Sequence, residues 1–427
     1  MIIKGEPARP RSPHRKTYRV SDSSEQTGET ATAHVSPGAG QSAERAKPEP
    51  ERHAHRTGAL EEGAGDTAGR ASPASAPRQN RFGPRPGEPL PAYAALDLGT
   101  NNCRLLIATP TPGGFRVIDS FSRIVRLGEG VGGSGALSEE AMDRAVGALK
   151  VCAAKLSDRK VRKARLIATE ACRAASNGES FIDRVRRETG LSLEIADRRT
   201  EARLAVSGCA TLVERDAEGV ILFDIGGGST ELAFLDFRAG RPRFHAHMHR
   251  FIRAWTSLPV GVVNLAERHG GVEVTPEIYE AMVEDVRGML RRFGARDMMM
   301  QCVKGGKVHL LGTSGTVTTL AGVHLGLERY DRRRVDGTWL GEKDMRAMID
   351  RLVSMSFKER VANPCIGADR ADLVLAGCAI LEAIHREWPC ARLRVADRGL
   401  REGILVELMA GDGVWRRRSS LKNGRRG

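Results

Sequence analysis

Val220-Ile-Leu-Phe-Asp224-Ile-Gly226-Gly227-Gly228-Ser229-Thr230-Glu231 is the stretch that decides the reading of this chain. An apolar run ends on a carboxylate, and three glycines, two hydroxyls and a second carboxylate follow. A buried strand cannot hold a carboxylate in its apolar run without a partner, so Asp224 is expected to emerge where the strand ends. Glycines let the backbone turn tightly enough for N–H groups to close on an anion. The same design stands upstream in Tyr93-Ala-Ala-Leu-Asp97-Leu-Gly99-Thr100-Asn101. A third turn, Leu310-Leu-Gly312-Thr313-Ser314-Gly315-Thr316, repeats it without the aspartate. The joint target of such turns is a phosphate with its divalent cation, amides meeting the oxygens and carboxylates the metal. Matching turns about a domain half apart predict a cleft that grips phosphate from both sides.

A chain of 427 residues suffices for two or more domains. The formal net charge of +14 is uneven: residues 1–90 carry +3 and residues 413–427 carry +6, which leaves +5 for the middle. That middle suits a polyanionic ligand without demanding one. Aromatic residues make up only 4% and no nucleic-acid module is recognisable, so nucleic acid is not the expected partner. The eight cysteines form no Cys-x-x-Cys pair and read as small buried hydrophobes of a reducing compartment. No leader-like start or long apolar run is present, so the expectation is a cytoplasmic protein with no membrane partner.

Residues 1–90 hold 11 of the 19 prolines and no sustained apolar period, the composition of a disordered extension. From Tyr93 the pattern is strand, glycine turn, strand, with Phe115–Ile118 and Ser122–Leu127 continuing a hairpin. Ser138 opens a helix with Met142, Val146 and Leu149 at helical spacing, Gly190 closes another, and Thr200 is the expected cap of a third. Strand, turn and strand recur from Gly219, with a further strand over Arg243–Arg250. Helices follow over Glu277–Phe293, Gly341–Met355, Ala371–Trp388 and Gly399–Met409, with a strand over Arg392–Val395. The echo of residues 93–127 after Gly219 implies an internal duplication and a two-domain α/β protein with its ligand between the domains.

Three further stretches narrow this: Ala168-Thr-Glu-Ala-Cys-Arg173, Thr200-Glu201-Ala-Arg203, and Asp369-Arg370-Ala-Asp with Asp397-Arg-Gly399-Leu-Arg401-Glu402-Gly403. Over roughly residues 92–410 the chain resembles the exopolyphosphatase/guanosine pentaphosphate phosphohydrolase (Ppx/GppA) family of the actin-like ATPase superfamily. The resemblance implies two ribonuclease-H-like domains, residues 91–208 and 209–397. It also implies that the final helix, 398–412, packs back on the first domain, ahead of a basic tail at 413–427. It matches Glu201 to a general base, Arg173 to a phosphate contact, and Asp224 and Glu231 to positions around a metal, with Asp97 facing them. Gly99, Thr100, Asn101, Gly226, Gly227, Gly228, Ser229, Thr313, Ser314 and Gly315 are then the expected phosphate cradle, and Mg²⁺ or another divalent cation the expected cofactor. The implied activity is release of terminal phosphate from polyphosphate, or alternatively from guanosine pentaphosphate; a homodimer is left open.

Other readings stand beside these. Glu201 at a helix start also favours the helix dipole, and Arg173 alone reads as a local salt bridge. Arg198 and Arg199, beside the proposed base, are either extra anchors for a polyanion or solvated charges. His245, His247 and His249 alternate as on one exposed strand face, without an acidic or cysteine ligand. A polyanion-binding regulator without turnover, or a sugar or acetate kinase, are the rival classes. The first lacks a reason to keep Glu201, Asp224 and Glu231, and the second lacks a visible adenosine site.

Overall fold

The structure, a computed structural model, describes residues 90–242 and 245–415. The extension expected over 1–90, apart from Leu90, and the basic residues 416–427 lie outside them. Among the described residues the strands are β1 (Tyr93–Leu98), β2 (Asn102–Thr111), β3 (Gly114–Ile124), β4 (Lys163–Ala168), β5 (Glu194–Ile195), β6 (Gly219–Ile225), β7 (Thr230–Asp236), β8 (Ile252–Leu258), β9 (Val308–Thr313), β10 (Trp339–Gly341) and β11 (Arg392–Ala396). They form two sheets, ordered β3-β2-β1-β4-β5 and β10-β11-β9-β6-β7-β8.

The two sheets repeat one plan. β1 pairs antiparallel with β2 and parallel with β4; β6 pairs antiparallel with β7 and parallel with β9. Apolar runs buried on both faces suit these central strands. Asp97 is next to last in β1 and Asp224 next to last in β6, so both carboxylates leave the core at equivalent strand ends. The α/β fold class and the duplication are therefore as the sequence implies.

Several local signals work as their chemistry predicts. Ser138 Oγ accepts from Ala141 N at 3.2 Å at the start of the helix Glu139–Asp158, whose Met142, Val146 and Leu149 face the core. Gly190 closes the helix Gly178–Thr189 at φ 70°, left-handed backbone that favours glycine. The eight cysteines are all buried and unbridged.

Three expectations are corrected. Phe115–Ile118 and Ser122–Ile124 belong to one continuous strand, β3, with a register shift opposite Ile107/Ala108 rather than a break, and Val125–Leu127 lie beyond its end. The helix Arg198–Cys209 is capped by Asp197, whose carboxylate accepts from Thr200 N at 2.7 Å, so Thr200 lies inside it. The segment expected as a strand over Arg243–Arg250 is a 3₁₀ helix, His245–Phe251, and the strand starts only at Ile252. The reason is that Met248, three residues before Phe251, is buried, and Phe251 meets Phe237 with ring centroids 5.7 Å apart. Three-residue spacing puts both on one side of a 3₁₀ turn. His247 and His249 therefore do not share a strand face; His249 lies 3.5 Å from Ser207 Oγ.

The last helix, Leu400–Gly411, completes the first sheet's outer core. Tyr93, Ala95 and Leu106 pack with Leu204, Ile404, Leu405 and Met409. Tyr93 Oη donates to Asp412 at 2.8 Å and Trp415 Nε1 to the Thr111 carbonyl at 3.0 Å, so packing continues to Trp415. This helix crosses Arg198–Cys209 at backbone contact. A Cβ on Gly403 would lie 2.0 Å from the Leu204 carbonyl oxygen, and one on Gly208 1.9 Å from that of Gly399. Among the described residues no helix is long and apolar enough to cross a membrane.

A methyl group at that crossing must separate the two helices. Gly403→Ala is expected to lower unfolding free energy by about 1–3 kcal/mol, the usual cost of overpacking. Gly147→Ala, where a Cβ meets nothing within 4 Å, is expected to raise it by about 0.5–1 kcal/mol through helix propensity. Urea midpoints of the two variants check this; equal midpoints would show that the crossing tolerates a side chain.

Candidate active site

The first two glycine turns touch. A Cβ on Gly227 would lie 2.8 Å from Thr100 Cβ, and one on Gly228 3.0 Å from Thr100 Oγ1. Glycine here is a matter of space rather than of φ. The carbonyls of the second turn are tied down: Val262 N donates to Gly226 O at 2.9 Å, Val263 N to Gly227 O at 2.8 Å and Asn264 Nδ2 to Gly228 O at 2.9 Å. The amides of Gly227 and Gly228, like those of Thr100 and Asn101, donate to no acceptor among the described residues. With carbonyls fixed behind and amides unspent, this turn has the polarity of an anion nest. Thr100, Asn101 and Ser229 are buried beside it, and Asn101 Oδ1 has no hydrogen-bond partner among the described residues. Gly99 N and Gly226 N are committed to closing their own turns, onto Asn102 O and Ser229 O at 2.9 Å each.

Glu201, in the first turn of its helix, is buried and meets Arg173 Nη1 at 2.5 Å. Burial pushes its carboxyl well above the ordinary range, the charge of Glu231 adds to this, and Arg173 opposes it. Arg173 Nε also donates to Glu170 Oε2 at 2.9 Å, and Arg198 holds the other Glu170 oxygen at 2.9 Å. Arg198 thus reaches Glu201 only through Glu170 and Arg173, while Arg199 is exposed. Glu231, buried on β7, accepts from Ser229 Oγ at 2.7 Å and Ser257 Oγ at 2.9 Å, both on Oε1. Asp224 is raised to about 8 by burial, then by the charges of Glu231 and Asp97. Asp97 is raised by burial against the pull of Arg104 and Arg401.

The third turn joins the cleft differently. Thr313 Oγ1 donates to the Arg398 carbonyl at 2.8 Å, so its hydroxyl binds the turn to the segment before the last helix. Ser314, at φ 131°, caps the helix Gly315–His324. Arg370 stands over it, its Nη1 3.6 Å from where a Gly315 Cβ would be.

Sequence reasoning passed over four charged groups. Arg104, in register with Asp97 across β1 and β2, is held low by burial and by the neighbouring Arg401 and Arg370 charges. These three arginines and Glu170 stand in or beside stretches already quoted. The signal for Arg104 was alternation, since it shares a β2 face with Asn102.

Among the described residues no three His, Cys, Asp or Glu side chains converge as a ready-made metal cage. Mg²⁺ is ordinarily held by one or two carboxylates, waters and substrate phosphates. Asp97 and Asp224, at facing strand ends and both raised by burial, suit that looser arrangement, because a divalent charge relieves their repulsion. Glu231 has only Oε2 left to contribute.

Two touching glycine turns, with half-buried carboxylates at their strand ends, are the arrangement of a phosphate-handling cleft. A family model agrees, the Ppx/GppA phosphatase family matching residues 106–411. The chain belongs to the Ppx/GppA phosphatase family. It is accordingly a hydrolase acting on phosphoanhydride bonds. It is similar to a putative exopolyphosphatase of Haemophilus influenzae, 28% identical over 319 residues that cover 74% of this chain and 90% of that protein. It is also similar to the guanosine-5'-triphosphate,3'-diphosphate pyrophosphatase of Aeromonas salmonicida, 26% identical over 75% of this chain but only 60% of that protein. Among solved structures, the Aquifex aeolicus Ppx/GppA family member superposes with a TM-score of 0.62 at 30% identity, covering 76% of this chain and 99% of its own.

The contact between the turns generates a prediction. Gly227→Ala must push Thr100 away and widen the cleft, so kcat/KM for phosphate release is expected to fall by at least about tenfold, since small misplacement of positioning groups is costly. The circular dichroism spectrum should be unchanged. Wild-type kcat/KM would mean that the turns need not touch.

Proposed function

We propose that this Ppx/GppA member is a Mg²⁺-dependent, cytoplasmic exopolyphosphatase that releases terminal phosphate from linear polyphosphate by direct attack of water. The observation that carries this reading is Glu201, buried and paired with Arg173 at 2.5 Å, beside a turn whose amides are unspent. A buried carboxylate with a raised proton affinity is a competent base. It takes a proton from water as the water oxygen bonds to the terminal phosphorus, and the phosphoanhydride oxygen leaves with the shortened chain. No covalent enzyme intermediate is needed, because positioning and charge neutralisation supply most of the catalysis in phosphoryl transfer. Gly227, Gly228, Thr100 and Asn101 offer amides to the phosphate oxygens. Arg173 orients Glu201 through Nη1, which also donates to the Ala196 carbonyl, and has one Nη2 hydrogen left for the terminal phosphate. Asp224 and Asp97, with Glu231 Oε2, are proposed to hold the metal, which supplies charge neutralisation at the phosphates. Ser314 and Gly315 close the far side of the cradle; Thr313 serves by fixing that turn. Arg199 is left to meet phosphates behind the one released, and Arg198 to brace Glu170.

Guanosine pentaphosphate ends in the same phosphoanhydride and is the second substrate reading, favoured by the likeness to the Aeromonas salmonicida enzyme.

Phosphate release from both substrates tests the proposal. Glu201→Gln is expected to lower kcat by about 10²–10⁴, the usual cost of removing a positioned base. Retention of a tenth of wild-type kcat would assign the base elsewhere. Because burial raises the Glu201 pKa, its basic form grows as pH rises, so wild-type kcat/KM should climb from pH 6 toward pH 9. At saturating Mg²⁺, which would keep Asp224 ionised, the slope should vanish in Glu201→Gln, and a flat wild-type profile would remove Glu201 from the rate. Excess chelator should abolish turnover and added Mg²⁺ restore it, with Asp224→Ala shifting the Mg²⁺ dependence to higher concentration. Full activity in chelator would exclude the metal.

A further inference from the structure

Glu170 is a buried carboxylate beside a nest that suits anions. It comes off the end of β4: Ala168, the last residue of that strand, pairs with Leu98 at the end of β1, and Thr169 N donates to the Leu98 carbonyl at 3.1 Å. Glu170 then opens a short helix, Glu170–Ala174. A Cβ on Gly228 would lie 3.0 Å from Thr100 Oγ1 and 3.1 Å from Glu170 Cγ, so the acidic side chain packs where the first two turns meet. Glu231, across the second turn, feels its charge. A carboxylate beside amides that donate to no acceptor among the described residues repels the anion those amides attract.

Its partners are the arginines that would otherwise take a phosphate. Glu170 Oε2 accepts from Arg173 Nε at 2.9 Å and from Arg173 Nη2, and Oε1 accepts from Arg198 Nη2 at 2.9 Å. Arg173 Nη1 is committed to Glu201 and the Ala196 carbonyl. The guanidinium fork that fits two phosphate oxygens is thus filled by a side chain of the protein. Two arginine charges stand on this wall of the cleft, and Glu170 cancels one of them in either protonation state of Glu201.

Substrate and product depend on this wall unequally. A polyphosphate is held by every phosphate it presents. Inorganic phosphate, once cut free, has only the cradle, the metal and this wall. Added positive charge here tightens the product more than the substrate, and product release limits turnover in many enzymes.

We propose that Glu170 is a product-release residue, which occupies Arg173 and Arg198 so that the cleft lets inorganic phosphate go. This rests on the phosphohydrolase reading of the cleft. Glu170 acts through the two arginines, so its role is positioning rather than catalytic.

The test is equilibrium binding of inorganic phosphate to the full chain, with Mg²⁺ present, by titration calorimetry. Wild type is compared with Glu170→Gln, Arg198→Gln and the double variant. Removal of one unit charge near a bound phosphate is expected to tighten it at least about fivefold in Glu170→Gln and to weaken it at least about threefold in Arg198→Gln. The double variant, which restores the balance, should return to within about twofold of wild type. Damage to the fold would weaken binding in both single variants; only charge moves them in opposite directions. In turnover, the inhibition constant of added phosphate should follow the same order, while KM for long-chain polyphosphate changes by less than about twofold in Glu170→Gln. Phosphate affinity equal to or below wild type in Glu170→Gln would overturn the proposal. So would unchanged affinity in Arg198→Gln, whose side chain is partly exposed and lies outside the core. A wild type that hydrolyses neither polyphosphate nor guanosine pentaphosphate would strike the reading of the cleft instead, and the binding comparison would still decide whether Glu170 sets phosphate affinity.

Discussion

Two helices in backbone contact set the geometry of the whole cleft. Arg198–Cys209 carries Glu201, Leu400–Gly411 carries Arg401 and Glu402, and they meet where Gly208 and Gly403 leave no room for a side chain. Close packing transmits displacement rather than absorbing it. A shift at this crossing moves Glu201 relative to Arg401, whose charge acts on Asp97 and Asp224. The last helix thereby belongs to the first sheet's core although its N-terminus faces the third turn through Thr313 and Arg398.

Charge in the cleft is organised as opposed rows rather than isolated pairs. Arg198, Glu170, Arg173 and Glu201 alternate in sign along one wall, so Glu201 is oriented by a partner that is itself held from behind. On the other wall burial raises Asp224 and Asp97, and Arg104 and Arg401 oppose it. Glu402 shows the balance tipped the other way: burial works to raise it, yet Arg401 and Arg332 hold it below the usual range. Groups that far from their ordinary proton affinities are characteristic of sites that must bind and release charge.

The parts legible in the sequence were those with local causes. Asp97 and Asp224 stand out because a carboxylate at the end of an apolar strand has one physical excuse, and the glycines after it say what the excuse is. Ser138 and Gly190 mark helix ends by chemistry confined to a few residues. Alternation puts Arg104 on the Asn102 face of β2, but its role stayed hidden, because an arginine in a strand looks solvated until the helix packed against that strand is known, and that helix lies about three hundred residues on. The His245–His249 stretch misled for a related reason. Its alternation imitates a strand, while the contact that makes it a 3₁₀ turn, Phe251 on Phe237, spans a loop the pattern does not reveal. Glu170 and Arg370 sat in recognised motifs, yet their roles depend on partners brought in by tertiary packing.

The place of the last helix also bears on how the chain acquires its shape. Tyr93 and Asp412, joined by a hydrogen bond, are 319 residues apart in sequence. At about 5–20 residues per second of synthesis, the apolar strip of Tyr93, Ala95 and Leu106 waits roughly 15–60 s for Ile404, Leu405 and Met409 to emerge. The second sheet, whose strands and helices all lie between, can form its own core in that interval. The half made first is thus the half finished last. Until the last helix arrives, that strip is exposed apolar surface on the nascent chain.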